Sequence, residues 1–398
     1  MKWAPIIPLI GGFPLGAYMA SGKKPHAIYS YSAFAKNDQH IVEYWKDVPY
    51  YHLDDESQTI PSEHLDFMVA TPPCAGLSML NTGPKTSAKG SGSCAVQNEW
   101  MYRSTIDAIQ RFSPKVILGE NAPTLYTKMG EGVAENLYQI AKEHGYSLVL
   151  YKTNTIHHGL PQRRERCFYM LCKSDRSPLL SFYDRAPIAS FEEYLTHIPE
   201  EATHQDDIIR KDIMNEPYYK FLQHRFGKDD VRDIILEKAY TAHAYVVKSS
   251  LMEEFVSWAK DNHEKGYQLG THAMNKFAAG KGVWDGSIHV FRDHMNALIG
   301  RALMESVHPN QNRSLNIREA LHMMGFPSDF QLQGGRKNLN HIAQNVPTCT
   351  ARDLVLEAMG FIRSDLEMTD VDFLKINNNV KRIDTKIQRG STLETFLG

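Results

Sequence analysis

Through the first half of the chain, apolar residues fall in short unbroken runs that alternate with helical patterns and glycine turns. Leu65-Asp66-Phe67-Met68-Val69-Ala70 is the clearest run, rich in β-branched and aromatic members and halted by Pro72 and Pro73. A run without polar alternation is the mark of a strand buried on both faces of a parallel sheet. Ala4 to Ile10, Ala27 to Ser32, Lys115 to Gly119 and Ser147 to Tyr151 read the same way. Between them, Ala35 to Tyr44, the set Trp100, Ile106, Ile109 and Phe112, and Gly132 to Glu143 repeat at helical spacing. Strands alternating with helices predict an α/β fold with a Rossmann-like, mostly parallel sheet over residues 1–185.

Beyond that point the rhythm dissolves. Residues 186–335 carry helical patterns (Tyr218 to Phe226, Val231 to Ala239, Leu251 to Asn262) with mixed charge, and predict an inserted smaller domain. Order returns with a helix that Gly325 and Pro327 end, then with Gln344-Asn345-Val346-Pro347 leading into a helix from Thr350 to Gly360. Residues 336–364 are therefore expected to complete the first domain, leaving 365–398 as a polar tail with a basic cluster at Lys381, Arg382, Lys386 and Arg389.

Composition adds mostly exclusions. The 398 residues carry a formal charge of −2, so any nucleic-acid contact must come from local patches. Five irregularly spaced cysteines with no CxxC pair argue for a reducing compartment and against both a disulfide framework and a structural zinc site. The apolar start to Ala20 contains Pro5, Pro8, Gly11, Gly12, Pro14 and Gly16, too many helix breakers for an export leader. No run of about 18 apolar residues exists to span a membrane.

Candidate chemistry gathers at predicted strand ends. Cys74 follows two prolines that stiffen the turn after its strand, a placement that aims the sulfur at the crevice beside an open α/β sheet. Glu120 leaves the next strand on the same edge. Gln162, Arg164 and Arg166 alternate before an aromatic-rich strand and so share one face. Residues 79–97, rich in Gly, Ser, Thr and Lys, read as a lid beside Cys74. His157-His158 lacks a third ligand nearby and reads as structural or DNA-facing, with no metal. A thiol, an acid and a guanidinium suit conjugate addition to a pyrimidine: thiolate attack at C6 makes C5 nucleophilic, an acid holds N3 and a cation holds O2.

With these residues the chain resembles the DNA (cytosine-5) methyltransferases. Thr71-Pro72-Pro73-Cys74 with Ser78 is similar to the family's Pro-Cys motif, Glu120-Asn121 to its Glu-Asn motif, and Gln162-x-Arg164-x-Arg166 to its Gln-x-Arg-x-Arg motif. His308-Pro309, Arg313, Arg318-Glu319, Gly325-Phe326-Pro327 and Val346-Pro347 follow in family order. The resemblance implies a class I methyltransferase fold whose insertion is a target-recognition domain. It implies Cys74, Glu120, Arg164 and Arg166 as catalytic residues. A cytosine would be flipped out of double-stranded DNA, and S-adenosylmethionine or a related one-carbon donor would be held by Ile10, Gly11, Gly12, Tyr31, Asp54, Pro73, Gln344 and Val346. Ser78, Gln162, Lys276, Lys281 and Arg292 would face DNA; the mixture Lys276, Lys281, Trp284, His289, Arg292 and His294 suits phosphate and base-edge contact and equally a plain solvated surface. A cytoplasmic, nucleoid-associated monomer of bacterial or viral origin, with room for a restriction partner, completes the expectation.

The departures cluster on the donor side. The Phe-x-Gly-x-Gly-Gly pattern reads here with Ile7 and Leu9 at the Phe and first Gly, the acid after the second strand is Ser30, and the late Gly-Asn is Ala343-Gln344. Two alternatives to methyl transfer from S-adenosylmethionine follow: the same cysteine chemistry with a modified S-adenosylmethionine or a folate, and a catalytically silent DNA-binding relative. An RNA cytosine methyltransferase fits less well with so long an insertion.

Overall fold

The computed structural model of the chain describes residues 1–378 apart from 62, 74, 78–97, 284 and 285; at 75, 301 and 302 it describes the backbone alone. The first six strands are β1 (Trp3–Ile6), β2 (Ile28–Ser30), β3 (Tyr50–His52), β4 (Phe67–Ala70), β5 (Val116–Asn121) and β6 (Ser147–Asn154). The others are β7 (Gln162–Arg163), β8 (Glu165–Cys172), β9 (Ser177–Pro178), β10 (Met295–Asn296), β11 (Met368–Thr369) and β12 (Phe373–Asn377). Eight of them form one sheet in the order β12-β6-β8-β5-β4-β1-β2-β3. All neighbours in it run parallel except β8, which is antiparallel to both β5 and β6. The α/β fold with a mostly parallel sheet is thus the observed one.

Helices cover both faces because the strands are apolar on both. α1 (Gly12–Ser21), α2 (Ala35–Tyr44) and the helix Thr348–Arg363 share a core with Trp3, Phe67, Leu118 and Phe168. α3 (Glu99–Phe112) and α4 (Glu131–Glu143) cover the other face, against Met68, Ile117 and Tyr169. Each such fully buried side chain contributes about 1.5–3 kcal/mol relative to exposure. The strand order turns back between β1 and β4, and the crevice outside the carboxyl ends there is where an open α/β sheet takes its ligands.

Three sequence expectations are corrected. The first strand stops at Ile6 rather than Ile10, because Ile7 and Leu9 both adopt φ of 52°, in the left-handed region. Within the polar tail expected from 365, β11 pairs with β9 and Phe373 to Asn377 registers with Leu148 to Lys152 of β6, while the basic cluster at 381–389 lies outside the described residues. Only Phe373, Leu374 and Ile376 are apolar in that strand, a pattern that suits a sheet edge with little to bury. The inserted domain is also smaller than 186–335. Phe191 to Ile209 and Phe291 to Leu332 belong to the core of the main sheet. A separate helical core draws its buried residues from Ile213 to Val290, with Val307.

Candidate active site

The last registered pair between β4 and β5 is Ala70 with Gly119, so Thr71-Pro72-Pro73 leaves the sheet level with Glu120. Thr71 and Pro72 are buried and Pro73 is half-buried, whereas Cys74, Ser78 and the expected 79–97 lid lie outside the described residues. Because β8 runs antiparallel to β5, its beginning rather than its end reaches this edge. Glu120 registers with Phe168, and Arg166, two residues earlier on β8, brings its Nε to 2.7 Å from Glu120 Oε1. The Glu120 side chain is 4% exposed and that of Arg166 17%. Burial pushes the Glu120 carboxyl above the usual carboxylate range, against the opposing pull of Arg166 and Arg164. A carboxyl and a guanidinium side by side at a crevice edge present a donor or acceptor pair to one edge of a planar ring. Among the described cysteines, Cys167, Cys172 and Cys349 are buried and their thiols are pushed up by that burial, Cys349 to about 12, so none is a ready nucleophile.

The other two members of the Gln-x-Arg-x-Arg stretch do different work. Gln162, expected to face DNA, is fully buried and donates from Nε2 to the Met323 carbonyl at 2.8 Å. Arg164, expected among the catalytic groups, is 1% exposed. It donates to the carbonyls of Leu298 (2.8 Å), Ala343 (2.6 Å) and Asn345 (2.8 Å), bolting three distant segments to the sheet. Sharing a face fixed the direction of these side chains and not their partners. His158 is likewise internal, bridging Thr153 Oγ1 and Asp353 Oδ2 at 2.8 Å each.

The residues at which the resemblance implies a donor are closely packed. A Cβ on Gly11 (φ 109°) would lie 2.6 Å from Ile41, and one on Gly12 would lie 2.0 Å from the Val346 carbonyl, so both glycines are needed to let α2 and the 345–346 segment approach. Gly12 N–H donates to Asn345 Oδ1 at 3.1 Å, a contact that no sequence pattern singled out. Ile10 and Val346 are fully buried, while Gln344 is exposed. Leu9 is 8% exposed and shares an apolar cluster with Tyr31 and Leu53 at the ends of β2 and β3. Tyr31 is fully buried, donates its hydroxyl to Asp107 at 2.7 Å, and has the Arg103 guanidinium 4.7 Å from its ring centroid and Trp100 at 5.1 Å. Asp54 accepts from the Ser32 N–H at 2.9 Å and holds the turn after β2. These residues do not fit S-adenosylmethionine in the manner the resemblance implies. A leucine stands for the glycine, a serine for the ribose acid, and the tyrosine ring is already packed.

A carboxyl does sit nearby, unannounced by a helix that reads as polar. Asp38 of α2 is fully buried and accepts from the Tyr50 hydroxyl at 3.1 Å on Oδ2, while its Oδ1 and the nearby Ser30 Oγ are buried without a hydrogen-bond partner among the described residues. Burial pushes it up to about 7, against the pull of the Tyr50 hydrogen bond. The unfolded chain gives up this proton near pH 4 while the folded chain keeps it to about 7, so its contribution to stability falls as pH rises through that window. Asp38→Asn is therefore expected to stabilise the protein by on the order of 4 kcal/mol at about pH 8, shrinking toward zero as pH approaches 4, as urea titrations at several pH values would show.

In the inserted region, Lys281 is exposed and Lys276 half-buried at the end of the helix Glu264–Ala278. The exposed Arg292 is ion-paired with Asp233, and Trp284 lies outside the described residues. No helix among the described residues is long and apolar enough to cross a membrane.

Comparison with known proteins follows the same lines. The family model for C-5 cytosine-specific DNA methylases matches residues 9–355. The type II methyltransferase M.DdeI of Desulfomicrobium norvegicum is 21% identical over 353 residues, covering 84% of this chain and 81% of its own. Among solved structures, a candidate DNA modification methyltransferase encoded within an E. coli prophage aligns with a TM-score of 0.54 at 17% identity, over 92% of this chain and 99% of its own. A DNMT2 variant from Spodoptera frugiperda gives 0.50 at 11% identity, over 90% and 100%. With a family match that spans both the carboxyl-edge residues and the returning segment, the chain belongs to the C-5 cytosine-specific DNA methylase family, whose members are DNA cytosine-5 methyltransferases.

Proposed function

We propose that the chain acts on a cytosine extruded from double-stranded DNA, with Cys74 adding to C6 while Glu120 and Arg166 grip the far edge of the ring. The observation that carries this reading is the buried Glu120–Arg166 pair, 2.7 Å apart at the carboxyl edge level with the Thr71-Pro72-Pro73 turn. The thiolate forms a bond to C6, and the electron pair of the C5–C6 double bond moves to C5. Glu120, its carboxyl raised by burial, hydrogen-bonds N3 and offsets the charge that develops on the ring, and Arg166 holds O2. A one-carbon donor, when bound, would supply the electrophile to C5 and leave with the electron pair of the bond that held it. A base then takes the C5 proton, the C–H pair reforms the C5–C6 double bond, and the thiolate leaves from C6. In the family this electrophile is a methyl group and S-adenosylmethionine its implied source.

The addition step can be tested without any donor. In the adduct C5 can take a proton from water instead, and elimination then returns either hydrogen. Duplex DNA carrying tritium at cytosine C5 is thus expected to release it to water when incubated with the protein alone. Absence of release from duplex DNA would sink the reading and favour a silent DNA-binding relative; release from RNA alone would move the substrate class. Glu120→Gln is expected to slow release by about 10²–10³-fold. Because the active forms are protonated Glu120 and the Cys74 thiolate, the wild-type rate should level off once pH passes the raised Glu120 pKa, whereas the variant, freed of that acid, should keep climbing toward the thiol pKa.

A further inference from the structure

The turn between β1 and α1 is built against the grain of its own residues. Ile7 and Leu9 both hold φ of 52°, a region that L side chains rarely enter and that a branched residue enters only when its surroundings over-determine it. Glycine would adopt the same backbone freely. The surroundings that hold Leu9 there are identifiable. The Ile7 N–H donates to the Tyr29 carbonyl at 3.0 Å, the Gly11 N–H closes back on the Pro8 carbonyl at 3.1 Å, and the Leu9 side chain is buried with Tyr31 and Leu53. The site of this strain is the crevice at the carboxyl ends of β1 and β2, beside the point where the strand order turns back. A nucleoside bound there would need close approach to the backbone of this turn, which at Leu9 carries a buried side chain where a glycine would carry none.

We infer that Leu9 restricts the donor: its side chain fills the crevice a purine nucleoside would enter, so S-adenosylmethionine binds weakly and gains affinity when the side chain is removed. This rests on the proposed C5 chemistry only for the class of donor, and its readout is binding rather than turnover. A role confined to packing makes the opposite prediction, since cutting back a buried leucine would loosen the turn and improve nothing.

The test is calorimetric titration of S-adenosylmethionine and S-adenosylhomocysteine into wild type, Leu9→Ala and Leu9→Gly. Affinity is expected to rise at least about tenfold in Leu9→Ala, and further in Leu9→Gly, where the strain is also relieved. Folded variants that bind no tighter than wild type overturn the inference. Should neither variant fold, the wild type decides. An unchanged melting temperature in about 1 mM S-adenosylmethionine supports the inference, and a rise of several degrees overturns it. Donor-free tritium release separates the two readings. Release without a gain in affinity leaves the C5 chemistry standing alone, and a gain in affinity without release leaves Leu9 standing alone.

Discussion

Cys74→Ser is expected to abolish tritium release from cytosine C5, by at least about 10⁴-fold, while leaving DNA binding and thermal stability near wild type. A serine hydroxyl matches the thiol in size but ionises only far above neutral pH, whereas a thiol of ordinary pKa near 8.5 is already a few per cent thiolate at neutral pH. No other described cysteine can substitute, because Cys167, Cys172 and Cys349 are sealed in the core. The Glu120–Arg166 pair would still hold the ring, so gel-shift affinity for duplex DNA should survive the loss of chemistry. A variant that keeps release would remove Cys74 from the mechanism and leave Cys94, the remaining thiol in the sequence, as the one to test.

Arg164→Met has the largest expected effect on the fold, a loss on the order of 4 kcal/mol in urea unfolding. Its guanidinium is the shared partner of carbonyls from Leu298, Ala343 and Asn345, and each charge-assisted hydrogen bond contributes roughly 1.5–3 kcal/mol before compensation. Methionine fills much of the volume but leaves three buried acceptors facing an apolar chain. Arg164→Lys should recover only part of the loss, since a point ammonium cannot span the fork that the planar guanidinium makes. Limited proteolysis should then cut near 298 or 343 before it cuts the sheet strands.

The strands were legible where burial leaves the sequence no choice. Phe67–Ala70 and Val116–Leu118 are apolar throughout because helices lie on both sides of them. The edge strand Phe373–Asn377 was not legible, because a strand with one neighbour keeps lysine and asparagine in its run. At the candidate site, strand ends indicated which residues share the carboxyl edge, since chain direction decides that. Partners across long separations were hidden: Gln162 and Arg164 share a face with Arg166, yet they meet carbonyls 134–181 residues away. Asp38 was hidden for a different reason. An acid on a polar helix looks like surface until Tyr50 closes over it.

The hydrogen bond from Gly12 to Asn345 joins residues 333 apart in the chain. During synthesis the first turn of α1 therefore emerges long before the asparagine and the helix Thr348–Arg363 that seat it. The strands bearing Glu120 and Arg166 can pair while that turn is still waiting. Contacts of such separation close slowly, because the loop entropy must be overcome first. The part of the sheet that carries the Glu120–Arg166 pair can thus take shape on the ribosome, and the turn into α1 is among the last parts to set.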